Sequence, residues 1–351
     1  MQAIIEQFQT QVRGATAAKT PLRIRGGGTK DWYGNAPVGA VLDTRAHSGV
    51  VAYEPTELVV TARCGTPLAE IEALLAQQQQ MLAFEPPRYG AGSTIGGVVA
   101  SALSGPRRAS AGALRDFVLG AVLMDGQGEV LRFGGQVMKN VAGYDVSRLL
   151  AGSLGTLGLI MEVSLKVLPL PVREASLRFE MGEIEALAKL NDWAGQPLPI
   201  SASCWHRGVL SLRLSGAGAA VEAAQRKLGG AALPEAEAEA FWTSLRDQRH
   251  GYFDCASLWR LSLPPQASAM VLNGEQLIEW GGAQRWLAAD AGAAAQIRAN
   301  AAAAGGHATL FRAADKSVGA FHPLAPAVAR INQRLRQEFD PAGIFNPGRM
   351  Y

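Results

Sequence analysis

Six consecutive residues, Arg25-Gly26-Gly27-Gly28-Thr29-Lys30, combine the chemistry needed to hold a polyanion. Glycines without Cβ let successive backbone N–H groups converge on one point, and Thr, Arg and Lys add a hydroxyl donor and positive charge. The spacing is neither G-x-x-x-x-G-K-[ST] nor G-x-G-x-x-G opening a helix, so it matches neither a P-loop nor a Rossmann fingerprint. Taken alone, the segment reads more simply as a glycine turn. A second stretch, Gly90-Ala91-Gly92-Ser93-Thr94-Ile95-Gly96-Gly97, runs into Val98-Val99-Ala100 and then Ser104-Gly105-Pro106. A glycine-rich start to a small-residue helix offers donors and the positive dipole end to phosphate. It equally suits a helix packed too closely for larger side chains. The third stretch is Lys139-Asn140-Val141-Ala142-Gly143-Tyr144-Asp145 followed by Gly152-Ser153-Leu154-Gly155-Thr156-Leu157-Gly158-Leu159-Ile160. No single stretch is specific; their order along the chain is.

The elements around these loops divide the 351 residues into three parts. Residues 1–171 hold short β-like runs broken by glycine turns. LRIR leads into the first loop, and ELVVTARCG precedes Thr66-Pro67, an N-cap and first-turn proline for a helix carrying Leu68, Ile71, Leu74 and Leu75 on one face. FVLGAVLM, DGQG and EVLRF form a hairpin pattern, and GLIMEVSLKVLPL is a strand ending at Pro169 and Pro171, a boundary. Residues 172–320 interleave strands (ASLRFEM, VLSLRLS, ASLWRLSL) with alanine-rich helices, an α+β or α/β plan for a short cap or substrate domain. The alanine-rich run 288–304 reads as a helix ending at Gly305-Gly306 before the strand HATLF. Residues 321–351 are a helix, a turn and a tail.

Bulk properties narrow the function. With 48% hydrophobic and 18% charged residues the chain buries a sizeable core and is not a disordered segment. The net charge of +3 comes from scattered Lys and Arg, which gives no basis for nucleic-acid binding. Cys64, Cys204 and Cys255 are far apart, with no Cys-x-x-Cys, so this chain builds no zinc ribbon or iron–sulfur cluster and suits a reducing compartment, the cytoplasm. MQAIIEQFQTQVRGA lacks the order of a signal peptide and reads as an amphipathic helix through Ile4, Ile5, Phe8 and Val12. Uncharged stretches are too short or too rich in Gly and Ser to span a bilayer, so a membrane is met only through a partner, peripherally at its inner face.

Taken together, the ordered loops resemble the PCMH-type FAD-binding domain of the vanillyl-alcohol oxidase/p-cresol methylhydroxylase family. The resemblance implies an α+β fold: a two-subdomain FAD-binding domain, a small α/β cap, and a C-terminal segment returning to the FAD domain, here Phe339-Asp340-Pro341-Ala342-Gly343-Ile344-Phe345-Asn346-Pro347-Gly348. It puts the pyrophosphate on Arg25, Gly26, Gly27, Gly28, Thr29 and Lys30. Ser93, Thr94, Gly96, Gly97, Ser104 and Gly105 then line the cofactor, and Gly152, Gly155, Thr156 and Ile160 close over adenine and ribose. Many relatives attach FAD through a histidine in or near the first loop; Thr29, Lys30 and Asp31 stand there, which implies non-covalent FAD. His47 reads as a surface or locally hydrogen-bonded residue.

RGGGTKDWYG, KNVAGYDVSRLLAGSLGTLG, GGHATLFR and DPAGIFNPGRMY are further similar to the family of E subunits of bacterial glycolate oxidases, nearly end to end. That likeness implies a heteromeric enzyme with a larger flavin-binding D subunit and an iron–sulfur F subunit, oxidising glycolate to glyoxylate and passing electrons towards quinone. Larger 2-hydroxy-acid dehydrogenases carry H-x-G-D-G-N-x-H for a metal and substrate; this chain lacks it, and no metal is expected. His47, His206, His250, His307 and His322 are nowhere closely spaced. Flavin oxidation needs a base for the hydroxyl proton and a cation for the carboxylate. Tyr144, Lys139 and His307, with Arg207, Arg213, Arg246, Arg249, Arg260 and Arg312, are candidates that the sequence does not separate. Three readings stay open: a catalytic subunit, an FAD-bearing electron-transfer or assembly subunit without its own substrate site, and an independent FAD-dependent alcohol or lactone oxidase.

Overall fold

A computed structural model describes residues 2–135 and 145–351. The helix Gln2–Ala18 buries Phe8, Val12 and Ala15, spaced to lie on one face. The short strand Leu22–Arg25 then pairs in parallel with Ala40–Asp43. Beyond them stands an antiparallel sheet in the order Val50–Glu54, Val59–Arg63, Leu159–Lys166, Val118–Met124, Val130–Gly134.

That sheet is covered on both faces. Leu68, Ile71 and Leu75 of the helix Leu68–Ala76 and Ile95, Val98 and Val99 of the helix Ile95–Ser101 pack with Val60, Ala121 and Val163. On the other face Val122, Met124, Leu159 and Met161 meet Phe8, Val12, Leu22 and Leu42. Double coverage explains why FVLGAVLM is an unbroken apolar run rather than an alternating one. At the hairpin, Asp125 Oδ1 accepts from the amides of Gln127 at 2.8 Å and Glu129 at 2.9 Å.

Two local expectations change. The Thr66 hydroxyl does not cap the helix after it; it donates to the Arg63 carbonyl at 2.7 Å and accepts from Gly49 N at 2.9 Å. Pro67 takes the cap position instead, and the Leu68 amide donates to Ser93 O at 2.8 Å, so the second glycine stretch satisfies a helix end. The alanine-rich run is α-helical only over Ala294–Ala303, after a 3₁₀ turn at Ala291–Ala293, because Ala288 already closes the strand Gln284–Ala288.

Residues beyond Pro171 build an eight-stranded antiparallel sheet. Its order is Ala231–Ala232, Arg173–Glu180, Val209–Gly216, Ile200–His206, Glu275–Glu279, Gln284–Ala288, Leu258–Ser262, His307–Arg312. One face carries the helices Glu183–Ala194, Gly218–Leu228 and Ala294–Ala303 through Leu190, Val221 and Ile297. The opposite face presents Cys204, Leu277, Trp286 and Phe311 to Trp242 and to Tyr33 and Leu103 of the first half. After the helix Pro326–Phe339 the chain returns: Leu22 N donates to Ile344 O at 2.7 Å, and Asn346 N donates to Leu22 O at 2.9 Å.

Candidate functional site

The strand Leu22–Arg25, the start of the helix Ile95–Ser101, the turn at residues 152–158 and the C-terminal tail enclose one groove. It comprises two connected spaces of about 590 and 390 Å³ that share Ile24, Gly26, Gly97, Ala100, Leu154 and Asn346. Arg25, Gly26, Gly27, Gly28, Thr29, Lys30, Thr94 and Gly97 line the larger space. Gly26, Gly96, Gly97, Gly155 and Ile160 line the smaller one. Three loops separated by some sixty residues each along the chain therefore meet at one place.

The glycines do different work. A Cβ on Gly27 would lie 1.5 Å from the Gly92 carbonyl oxygen, and one on Gly26 would lie 2.3 Å from Thr94 Oγ1. These two residues let the first loop pack against the second. Gly97 differs, since its Cβ would meet only Thr94 Oγ1 at 3.5 Å, an ordinary contact. Packing does not demand glycine there; the missing side chain leaves the groove open. Gly28, Gly152 and Gly155 have φ of +73°, +85° and +70°, where L side chains are strained.

Charge is unevenly distributed along the groove. Arg23 and Arg25 both pair with Asp31, Arg25 at 2.8 Å. Lys30 has no carboxylate partner among the described residues: its Nζ donates to Ser93 Oγ at 3.0 Å and sits 5.9 Å from the Tyr89 ring centre. Burial lowers its pKa to about 8. An uncompensated ammonium in a cleft lined by glycine amides is the electrostatics of an anion site.

Ser93, Gly152 and Thr156 line neither space. Ser93 is buried under Lys30, Thr156 Oγ1 donates to Ser153 O at 2.8 Å, and Gly152 N donates to Val99 O at 3.0 Å. They shape the loops. Asn346 was quoted in the sequence only as part of the returning tail, yet it touches both walls. Its Nδ2 donates to Leu154 O at 2.6 Å and its Oδ1 accepts from Ile24 N at 2.9 Å. Arg349 reaches the first loop too, donating to Asp31 O at 2.8 Å. No local pattern near the C-terminus marks either residue; only the bridge Leu22–Phe345 brings them in.

Ser104 and Gly105 lie apart from the groove, in a space of about 300 Å³ between the two sheets. Pro87 and Tyr89 stand beside them; Arg246, Gln248, Arg260, Glu279, Gln284, Trp286 and Phe311 come from the second half. A buried ion network fixes the two halves here. Glu85 receives Arg107 N at 2.8 Å and Arg213 Nη2 at 2.8 Å, and Arg107 Nη2 donates to Glu174 at 2.5 Å.

The structure separates the candidate arginines. Arg213 belongs to that network, Arg207 pairs with Glu275 at 2.6 Å on the surface, and Arg249 is largely exposed beside Asp247. Arg312 donates to Phe253 O at 2.5 Å. Arg246 and Arg260 line the inter-sheet space, Arg246 held by Asp247 at 2.9 Å. His307 faces a separate space of about 810 Å³ with Arg260, His322 and Tyr351. Lys139 and Tyr144 lie outside the described residues.

His47 is a correction. It is 1% exposed, packed edge-on against Phe8, with neither ring nitrogen hydrogen-bonded. Burial and Arg63 hold its pKa below the usual value, so the ring stays neutral. Among the described residues no group of three or more His, Cys, Asp and Glu could hold a metal ion, and no helix is long and apolar enough to cross a membrane.

A glycine-lined anion groove beside an antiparallel sheet, capped by a second sheet, defines an FAD-binding protein. Residues 4–134 match the FAD binding domain family, and FAD is the cofactor. The architecture is that of solved alkyldihydroxyacetonephosphate synthase, with a TM-score of 0.66 at 16% identity over 97% of this chain and 74% of that one. Over all 351 residues the chain is 51% identical to the glycolate oxidase subunit GlcE of Escherichia coli (strain K12), 97% of which is covered. It therefore belongs to the glycolate oxidase subunit GlcE family. It is also 32% identical over 174 residues, 49% of this chain, to the glycolate oxidase subunit GlcD of Bacillus subtilis (strain 168), 37% of which is covered.

Proposed function

We propose that this chain is the FAD-binding subunit of a heteromeric glycolate-oxidising enzyme, converting glycolate to glyoxylate. A larger flavin-binding D subunit and an iron–sulfur F subunit complete the complex and carry electrons towards quinone. The full-length likeness to GlcE carries this reading. In the proposal the diphosphate rests on residues 25–30 with Lys30 as counter-ion, adenosine lies along Gly96, Gly155 and Ile160, and Ser104 and Gly105 face the substrate space. When bound, FAD supplies a two-electron acceptor. The chain's own residues keep the groove open at Gly97, neutralise the diphosphate, and line the space between the two sheets.

Attachment is non-covalent. Among the described residues no histidine lines the groove, and the thiol there, Cys64, is pushed up to about 12 by burial and stays protonated. The working place is a reducing compartment, at a membrane's inner face through partners. The test is expression of the chain alone and with the D and F subunits. Glycolate oxidation should be slow or missing for the single chain and restored by co-expression. Full turnover by the chain alone would leave an independent oxidase.

A further inference from the structure

The strand Glu275–Glu279 turns Leu277 and Glu279 towards the first half of the chain, and Glu279 ends the strand in the wall of the inter-sheet space. It is 3% exposed. Its Oε2 accepts from Trp286 Nε1 at 2.6 Å and Gln284 Nε2 at 3.1 Å. Among the described residues Oε1 has no donor, and no Lys, Arg or His pairs with the group. Buried carboxylates are ordinarily paired or fully hydrogen-bonded. Glu279 is neither.

The same sheet, two strands away, holds a matching deficit in the lining of this space. Arg260 has no carboxylate partner among the described residues; it lies 5.5 Å from the Phe311 ring centre, and its Nη2 reaches Tyr33 Oη only at 3.4 Å. Arg260 Nε, Gln248 Oε1 and Ser104 Oγ are buried without hydrogen-bond partners. One unpaired guanidinium, one unpaired carboxylate, and two residues with a further orphaned polar atom, Ser104 and Gln248, thus line this one space. Guanidinium geometry selects a carboxylate, and an unpaired carboxylate beside it selects a hydroxyl proton.

We propose that Glu279 accepts the hydroxyl proton, and Arg260 anchors the carboxylate, of a small 2-hydroxy acid bound in this space. The assignment rests on the reading above of an FAD-dependent subunit oxidising such an acid. The substrate O–H bond breaks as an O–H bond forms on Glu279. The C2 hydrogen leaves with its electron pair for oxidised FAD, and the 2-oxo acid remains. Burial, with Glu85 adding repulsion, raises the Glu279 pKa to about 7, which lets it exchange a proton near neutral pH. The other groups around it do not compete. Cys204 and Tyr89 are pushed up by burial and stay neutral, Arg246 is held by Asp247, and Glu85 by Arg107 and Arg213.

The test uses the FAD-loaded full chain and oxamate, a non-oxidisable two-carbon monocarboxylate. Calorimetry in two buffers of different ionisation enthalpy should show proton uptake on binding near pH 7, because an anion beside Glu279 raises its pKa. Glu279→Gln keeps an acceptor for Trp286; it should bind oxamate without that uptake. It should also reduce flavin with glycolate at least a hundredfold more slowly, without the wild-type fall below about pH 7. Arg260→Met should weaken oxamate at least tenfold at equal FAD content, with Arg260→Lys intermediate. Unchanged uptake in Glu279→Gln, or unchanged affinity in both Arg260 variants, overturns the assignment. If glycolate reduces the wild-type flavin but oxamate binds without involving either residue, this site is wrong while the functional reading stands. If glycolate does not reduce the flavin even in the assembled complex, both fall.

Discussion

Asn346 and Leu154 are 192 residues apart in the chain, yet the amide of one donates to the carbonyl of the other at 2.6 Å. With the second bond, from Ile24 N to Asn346 Oδ1 at 2.9 Å, this side chain ties the turn at 152–158 to the first strand across the groove. Asn346 also has φ of +42°, a conformation Asn tolerates better than most residues. Asn346→Ala should lose roughly 1–3 kcal/mol of stability through the orphaned partners, and FAD occupancy should fall with it. Denaturant unfolding and flavin content of the purified variant check both. Normal values for both would remove Asn346 from the groove's framework.

The two kinds of glycine predict opposite behaviour. Gly27→Ala or Gly27→Asp forces the first loop off the Gly92 carbonyl, so thermal stability and FAD content should drop together. Gly97→Ala meets no clash and replaces a helical glycine, which should leave the flavin-free protein as stable or about 0.5–1 kcal/mol more stable. Its methyl group projects into the groove, so FAD content should nevertheless fall. Thermal melts of flavin-free and reconstituted protein distinguish the cases.

Lys30 predicts a pH dependence. Its pKa is lowered to about 8 in the flavin-free fold, while the unfolded side chain titrates near 10.4. Between those values the unfolded state binds more protons, so flavin-free stability should rise with pH from about 8 to 10. A diphosphate favours the charged amine and reverses this locally: FAD binding takes up a proton, and affinity should weaken as pH rises above about 8. Lys30→Met should bind FAD more weakly at pH 7 and lose the slope. Fluorescence titration with FAD between pH 6.5 and 9.5 measures it (the range brackets the lowered value), and an equal slope in the variant would clear Lys30.

Acid or heat should release intact FAD from the purified chain, leaving no fluorescence on the polypeptide in a denaturing gel. Flavin retained on the polypeptide would contradict the chemistry of the groove, where Cys64 is protonated and no histidine stands among the described lining residues.

Much of this was legible in one dimension. Turn glycines, the amphipathic start Phe8–Val12 and the hairpin at Asp125–Gly128 are local, since backbone freedom and side-chain periodicity act over a few residues. No single glycine stretch was specific, but their order along the chain carried the family resemblance that implied FAD. What sequence left undecided depended on partners far along the chain. Six cap arginines look alike as text, and only the sheet register put Arg260 and Glu279 in one wall while sending Arg207 to solvent and Arg213 to an ion network. His47 looked like a surface residue because nothing in TRAHS announces the helix Gln2–Ala18 that buries it. Gly27 was legible as a glycine that must be glycine, but the neighbour that requires it, the Gly92 carbonyl, was not. The sequence alone determined which residues lack a side chain or carry a charge. Tertiary structure decided which charges are left unpaired, because pairing depends on distance in space, and Asn346 lies 322 residues from the strand it bonds.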